Sequence, residues 1–283
     1  MARPVSDVSS IREFSSGLEK PAGLAAAPDG GLFVSHIEHG DGVISRITPD
    51  GSTSLFARTG GRPAGLALNR EGSLFAADVD RRVVLRISAD GGVEDFVTDA
   101  NGAAFRAPQD LAFGPLGNFF LTDPIRRAPP DPSISPVYRI TADGEAFLFA
   151  DEIAYPNGIA FSPDGREIYV AEMRSNRLLG FPVLSDGSAG QPRMLHRFSG
   201  SGGPAGMAVD SEGTVIVAVQ EARALAFISE DAVLLDRWDM PDRSCHTSTC
   251  QQRADTDAAP SRIRRFGRPR SVRTGAGRPR ATG

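Results

Sequence analysis

Short apolar runs alternate with turn signals along most of the chain, and no stretch shows the 3.6-residue periodicity of an amphipathic helix. Asp-Gly dipeptides separate many of these runs, and Asp-Gly supplies the positive φ that a tight hairpin turn requires. They include residues 29–30, 50–51, 90–91, 143–144, 164–165 and 186–187. The pattern predicts an all-β fold of short antiparallel strands.

One sequence unit occurs five times: a proline, a variable residue, Gly or Asp, and then an apolar residue followed by alanine. The copies are Pro21–Ala25, Pro63–Ala67, Pro108–Ala112, Pro156–Ala160 and Pro204–Ala208, with 42–48 residues between consecutive prolines. A strand-only repeat of about 40–50 residues is the period of a β-propeller blade. A β-sandwich would not need so regular a repeat. The repeat therefore predicts a propeller, in which equivalent loops of all blades meet at one central channel.

Each unit divides into four short apolar runs, as expected for a four-stranded blade. In the second unit these predicted strands are Gly65–Leu68, Ser73–Ala77, Val83–Ser88 and Val93–Val97. Residues Ser10–Ser15 look like an outer strand without a blade of its own. After the outer strand Val233–Trp238 a sixth unit is expected, but an Arg-, Gly- and Pro-rich stretch follows instead.

Charge divides the chain into a predicted propeller over residues 1–242 and a basic tail over residues 243–283. The whole chain has a net charge of -4, whereas the tail contains ten Arg and two Asp, which leaves -12 for the propeller. Such a body repels nucleic acid, so contact with DNA is limited to the tail. Its two Gly-Arg-Pro-Arg motifs, 267–270 and 277–280, resemble minor-groove hooks.

The tail has a second explanation. The chain uses thirty Arg and a single Lys, which indicates a GC-rich gene, and such a gene read out of frame yields this mixture of residues. Residues after about Asp242 are then either a disordered tail or a frameshifted product that replaces the inner strands of blade six. An incomplete sixth blade leaves apolar blade faces bare, and self-association through them is expected.

The N-terminus lacks the apolar core of a secretory signal, and no segment is apolar enough to span a bilayer. Both cysteines, Cys245 and Cys250, lie in the tail, so no disulfide is expected within the repeats. We therefore expect a cytoplasmic protein without a membrane partner.

Three groups of residues resemble the regucalcin (senescence-marker-protein)/gluconolactonase family of six-bladed propellers. They are Leu18–Pro21, Ala107–Leu111 with Leu121–Pro124, and Tyr155–Gly165 with Tyr169–Glu172. The resemblance covers about residues 18–240. It implies a six-bladed type with five complete blades visible here, a divalent metal, most often calcium, in the central channel, and hydrolysis of sugar or related lactones.

The resemblance also implies which residues bind the metal. Glu19 and Asn157 match two of the family's four ligand positions, whereas Gln109 stands where the family has Asn. Ala205 stands where the family has an Asp that also serves as the proposed general base. Calcium prefers six to eight oxygens and binds more tightly as carboxylates are added. A weak calcium site and impaired hydrolysis are therefore expected, since losing a positioned base removes about 10²–10⁴ in rate.

Asp110 and Asp123, at the channel end of blade three, are the candidates to replace that base. Arg126, in the loop 124–136, and Glu172 are candidate substrate contacts, and Arg126 with its neighbour Arg127 suits an anionic substrate. Each has a structural alternative: Asp123 and Glu172 cap a turn, and the arginines face solvent. Likewise Glu19 can be a solvated loop carboxylate, and Pro-Asn-Gly at 156–158 is also an ordinary turn signal.

Two further clusters have the residue types of a transition-metal site. His36, Glu38 and His39 are close in sequence, but His36 and Glu38 share one face of a strand end and His39 points away. Cys245-His246 with Cys250 lacks a second ligand pair at zinc spacing. Neither pattern favours a metal.

The alternative function is a propeller without catalysis, similar to NHL-repeat scaffolds, whose Pro-x-Gly-Ile-Ala units are close to those found here. Such a scaffold binds small molecules or proteins. Fold alone does not choose between the two, because propellers serve both roles. Calcium-dependent stabilisation or lactone hydrolysis favours the enzyme.

Overall fold

The computed structural model describes residues 14–37, 40–128, 130–200 and 202–240, together with the backbone of residues 250–251. Every regular element in this part of the chain is a β-strand. Within it there is no helix that could cross a membrane. The prediction of an all-β propeller is confirmed: five four-stranded blades follow one another around a ring.

The strands follow the repeat units in chain order. Blade one contains β1 (Pro21–Ala26), β2 (Leu32–His36), β3 (Val43–Ile47) and β4 (Thr53–Arg58). Blade two contains β5 (Pro63–Leu68), β6 (Leu74–Asp78), β7 (Val83–Ile87) and β8 (Val93–Val97). The hairpin β9 (Asp99–Ala100) and β10 (Ala103–Ala104) precedes blade three, which contains β11 (Asp110–Phe113), β12 (Phe119–Thr122), β13 (Ile134–Ile140) and β14 (Ala146–Ala154).

The last two complete blades repeat this order. Blade four contains β15 (Pro156–Phe161), β16 (Glu167–Glu172), β17 (Arg177–Pro182) and β18 (Arg193–Arg197). Blade five contains β19 (Pro204–Val209), β20 (Val215–Val219), β21 (Ala224–Ile228) and β22 (Leu234–Asp239). The inner strand of blade two begins two residues before the predicted Gly65, because the proline itself pairs with Asp78.

Each inner strand that contains Pro-x-Gly has an irregularity at this motif. In blade one Pro21 pairs with His36, and regular pairing resumes only at Leu24 with Val34. Blades two, four and five show the same shift. Blade three has Asp110 at the glycine position, and its inner strand pairs without a shift from Asp110 onward. In the four shifted blades the glycine therefore belongs to a β-bulge.

The glycines of this motif admit the backbone of the next blade. An ideal Cβ at Gly23 would lie 2.1 Å from the carbonyl oxygen of Ala64, and one at Gly158 would lie 2.2 Å from that of Ala205. Neither distance is compatible with a real side chain. Neighbouring inner strands thus approach so closely that only glycine fits.

The apolar core lies between blades. Successive residues of a strand point to opposite faces, so each strand serves two interfaces. Phe119 packs in the cluster between blades two and three, whereas the adjacent Phe120 packs between blades three and four. In the same way Ile159 faces blade three and Ala160 faces blade five. The large hydrophobic clusters therefore lie between neighbouring blades.

Of a sixth blade, the part of the chain that the structure describes includes one two-residue strand. The backbone of β23 (Cys250–Gln251) pairs in parallel with β1, Leu24 with Cys250 and Ala25 with Gln251. Of the predicted N-terminal outer strand only the end is described: the Ser15 hydroxyl donates to Gly51 O and lies 3.0 Å from the Thr53 hydroxyl. The rest of that strand, Glu38, His39, Cys245, His246 and both Gly-Arg-Pro-Arg motifs lie outside the described residues.

Gly158→Ala should lower the melting temperature, because its new methyl group would collide with the backbone of Ala205. Overpacking of this kind costs about 1–3 kcal/mol, and each kcal/mol lowers the melting temperature by about 2–4 °C in a domain of this size. Gly40→Ala is the control, since nothing lies within 4 Å of its ideal Cβ. Equal melting temperatures for both variants, measured by circular dichroism, would contradict the close contact.

Candidate active site

The second residues of the five repeat units lie at the starts of the inner strands, four of them second in the strand and Gln109 just before β11. We call these five residues the channel ring: Ala22, Ala64, Gln109, Asn157 and Ala205. Hydrogen bonds from the preceding blade fix the backbone of three of them. Gly65 N donates to Gln109 O over 2.8 Å, and the Thr122 hydroxyl donates to Asn157 O over 2.7 Å. The Ser35 hydroxyl donates to Ala64 O in the same way. The ring is therefore joined blade to blade.

Gln109 is half-buried, and its side chain is bound to an arginine. Its Oε1 accepts a hydrogen bond from Arg126 Nη2 over 2.5 Å, and Arg126 is itself exposed. The structure thus brings these two predicted site residues together. The amide oxygen that would face a metal faces a cation instead.

Asn157 is also half-buried, and its Nδ2 donates to Met173 Sδ over 3.4 Å. Glu19 is exposed, and its backbone carbonyl accepts a hydrogen bond from His36 Nδ1 over 2.7 Å. The other ring nitrogen of His36 contacts the Ser45 hydroxyl at 2.9 Å. His36 therefore holds the chain segment that leads into β1, which explains its burial without a metal.

Asp110 is the most perturbed carboxylate at the channel end of the inner strands. Its Oδ1 accepts from Leu111 N over 2.9 Å, and its Oδ2 accepts from Ile159 N of blade four over 3.2 Å. Burial raises the pKa of Asp110 to about 7, although these two hydrogen bonds oppose the shift. A carboxyl group of this kind exchanges a proton near neutral pH.

Three carboxylates at the ends of second strands have the same structural role, and these are Asp78, Asp123 and Glu172. Each accepts hydrogen bonds from backbone N–H groups in the segment that leads into the inner strand of its own blade. Asp78 accepts from Arg62 N (2.8 Å), and Glu172 accepts from Ala154 N (2.9 Å). Asp123 accepts from Arg106 N (2.9 Å) and Ala107 N (2.7 Å). Glu172 also forms an ion pair with Arg177. These contacts match the capping alternative for Asp123 and Glu172.

Asp78 has the same role, although the sequence analysis did not select it as a candidate residue. A signal was present, because Asp78 and Asp123 each lie 15 residues after the proline of their blade, as does His36 in blade one. Burial raises the pKa of Asp123, while its backbone hydrogen bonds lower it. Repetition at one position across blades marks a structural device, whereas a catalytic residue needs to occur only once.

The donor set formed by the channel ring together with Glu19 does not fit a tightly held calcium ion. Glu19 supplies one carboxylate, the Gln109 oxygen is bound to Arg126, and Ala205 is apolar and fully buried. Within the described part of the chain, no group of three or more His, Cys, Asp or Glu side chains could hold a metal. Calcium needs more oxygens and more negative charge than this.

Comparison with known proteins gives the family. Residues 44–257 match the model described as SMP-30/Gluconolactonase/LRE-like region. A gluconolactonase of Zymomonas mobilis is 25% identical over 203 residues, which are 61% of this chain and 57% of that protein. The matched region thus spans little more than half the length of this curated relative.

Two solved structures share the fold. A gluconolactonase from Xanthomonas campestris has a TM-score of 0.72 and 25% identity, with 83% of this chain and 80% of that chain covered. The calcium-binding protein regucalcin from Agrobacterium tumefaciens has a TM-score of 0.68, with 83% of this chain and 79% of that chain covered. Its 19% identity means that this match shows the fold alone. With the family model matching most of its length, the chain belongs to the SMP-30/gluconolactonase/LRE-like family, as its motifs predicted.

Proposed function

We propose that the protein binds small sugar or related lactones at the channel ring and hydrolyses them slowly. The observation that carries this proposal is the pair of amide side chains, Gln109 and Asn157, at the starts of adjacent inner strands of a gluconolactonase-family propeller. The similarity to gluconolactonases supports a lactone as the substrate class. Because the match spans only part of the curated relative, the activity of the whole protein is a proposal.

The chemistry requires one base and one acid. Water attacks the lactone carbonyl, the ring C–O bond breaks, and the products are a carboxylic acid and an alcohol. In this proposal Asp110 accepts the proton of the attacking water and returns it to the departing alkoxide. A pKa of about 7 suits this exchange, because a base works best near the operating pH. The amides of Gln109 and Asn157 orient the lactone oxygens.

Two features make the rate low. Ala205 offers no base at the position where the family places an aspartate, and Asp110 is buried with both oxygens engaged by backbone N–H groups. Calcium would gain little charge stabilisation from Glu19, Asn157 and Gln109, so we propose a weak dependence on calcium. The capping contacts of Asp123 and Glu172 explain their burial, and the proposal gives neither a catalytic step.

The second candidate is a binding propeller without catalysis. The buried methyl group of Ala205 favours it, because the position of the family's base has become part of the apolar interior. A scaffold of this kind would bind a ligand at the ring and release it unchanged. Hydrolysis measurements separate the two candidates.

The double variant Gln109→Asn/Ala205→Asp should hydrolyse D-glucono-1,5-lactone at least about tenfold faster than the natural chain, and only when calcium is present. The change restores the donor set that the family resemblance implies, and a positioned base contributes about 10²–10⁴ in rate. A pH-indicator assay with and without calcium measures this.

The matched control is Ala64→Asp, which adds the same carboxylate to the ring in another blade. A melting curve of each variant verifies folding, since a buried aspartate at either position destabilises the chain. Equal rates for both aspartate variants would contradict the assignment of position 205. No hydrolysis by any folded variant would favour the scaffold.

The rate of lactone hydrolysis should rise with pH to a plateau above about 7, because Asp110 acts only as a carboxylate. Asp110→Asn should abolish the pH dependence together with most of the activity. Initial rates between pH 5 and 8, corrected for the spontaneous reaction, measure this. A pH-dependent activity that survives in Asp110→Asn would exclude Asp110 as the base.

The same residue should make folding stability fall between pH 5 and pH 7. Its pKa in the folded chain, about 7, exceeds the ordinary 3.8, so the folded state binds more protons in this range and loses stability as pH rises. Asp110→Asn should flatten the dependence of melting temperature on pH. A dependence unchanged by the substitution would contradict the raised pKa.

The other titrating groups, including Asp123 with its raised pKa, are the same in both proteins and cancel in this comparison. Hydrogen bonds hold the pKa of several exposed turn aspartates below the ordinary value, so they stay ionised from pH 5 upward: Asp29, Asp50, Asp90, Asp164 and Asp186. Burial lowers the pKa of His196, which acts in the opposite direction but is the same in both proteins.

A further inference from the structure

We infer that Arg126 makes the channel ring select an anionic ligand: a lactone, or its hydrolysis product, that carries a free carboxylate. This inference rests on the proposed function, because it names the substrate class of the same site. It starts from the contact between Arg126 Nη2 and Gln109 Oε1, which places a guanidinium beside the channel ring.

The loop between β12 and β13 is anchored on both sides of Arg126. Ile125 N donates to the Ser135 hydroxyl over 2.7 Å, and Arg127 N donates to the Ser133 hydroxyl over 3.4 Å. Both serines are buried. The backbone of Arg126 is therefore held between two fixed neighbours, within reach of the channel ring.

The neighbouring arginines are already occupied by partners. Arg127 forms an ion pair with Asp131 at 3.1 Å. Arg174 donates to the backbone carbonyls of Arg127 and Asp131, and it lies over the ring of Tyr155. They hold the outer part of the loop together. Arg126 differs from both, because its observed partner is a neutral amide.

Arg126 keeps most of its hydrogen-bonding capacity. A guanidinium has five N–H donors, and its fork matches the two oxygens of a carboxylate. Within the described residues Arg126 takes part in no ion pair, and one amide oxygen uses a single donor. Its side chain is exposed, so a ligand reaches the remaining donors without displacing protein.

The same cation weakens binding of a metal ion. Gln109 is the amide that the family resemblance assigns to a divalent ion, and a guanidinium at hydrogen-bond distance repels such an ion. The charge preference on this side of the ring is thus reversed relative to a calcium site. Hydrolysis of any lactone creates a carboxylate, so Arg126 should also retain the product and slow its release.

The test compares two sugar lactones that differ in charge: neutral D-glucono-1,5-lactone and D-glucaro-1,4-lactone, which carries a carboxylate. Arg126→Gln should lower kcat/KM for the anionic lactone about tenfold, the loss expected for one charge-assisted hydrogen bond at an exposed site. The value for the neutral lactone should change much less than this, since that substrate offers Arg126 no carboxylate to bind.

Arg166→Gln is the matched control. It removes the same charge from the hairpin between β15 and β16, at the opposite end of those strands from the channel ring. Its nearest carboxylate, Asp164, lies 3.9 Å away, and the side chain is 87% exposed. An equal loss in both variants would show a general charge effect and overturn the inference.

Calorimetric titration with D-glucarate tests binding without turnover. Binding that weakens about tenfold in Arg126→Gln supports the inference even if neither lactone is hydrolysed, and in that case the proposed function alone fails. If both lactones are hydrolysed and Arg126→Gln changes both equally or neither, the inference is wrong and the proposed function stands. Absence of glucarate binding to the natural chain also overturns the inference.

Discussion

The fold depends on a close approach between the inner strands of neighbouring blades. At Gly23 and Gly158 the carbonyl oxygen of the next blade occupies the space of a missing side chain. This approach lets hydrogen bonds such as Gly65 N to Gln109 O cross from one blade to the next. It also brings the alternating apolar faces of adjacent blades into contact, where the core lies. The five channel-ring residues owe their positions to this constraint.

Buried carboxylates near the channel serve the architecture first. Asp78, Asp123 and Glu172 satisfy backbone N–H groups that would otherwise be buried without partners, and such groups are costly. Asp110 likewise accepts a backbone hydrogen bond, from Ile159 N of blade four. Its pKa of about 7 means that it also gains and loses a proton near neutral pH. In the proposed function this residue therefore has both a structural and a chemical role.

Family membership establishes the fold of this protein, but it does not establish the chemistry of the site. The ring keeps Asn157 but has a buried methyl group at Ala205 and a guanidinium bound to Gln109. Each change reduces the oxygen ligands or the negative charge that a calcium ion requires. In our proposal the same changes favour an anionic ligand, so that a few side chains on a shared framework would reverse the charge preference of a site.

The sequence by itself determined the all-β fold, the five blades and the candidate residues at Pro-x-Gly, because turn chemistry and period-2 alternation are local properties. The family resemblance, rather than any spacing, suggested Glu19, Gln109 and Asn157 as site candidates, and Asp110 was added because it lies at the channel end of blade three. Only the tertiary structure decided what these side chains touch. That Arg126 binds Gln109 across 17 residues, and that Asp123 caps a backbone segment, depends on loop conformation and burial. Those are set by packing between blades, which no local pattern contains.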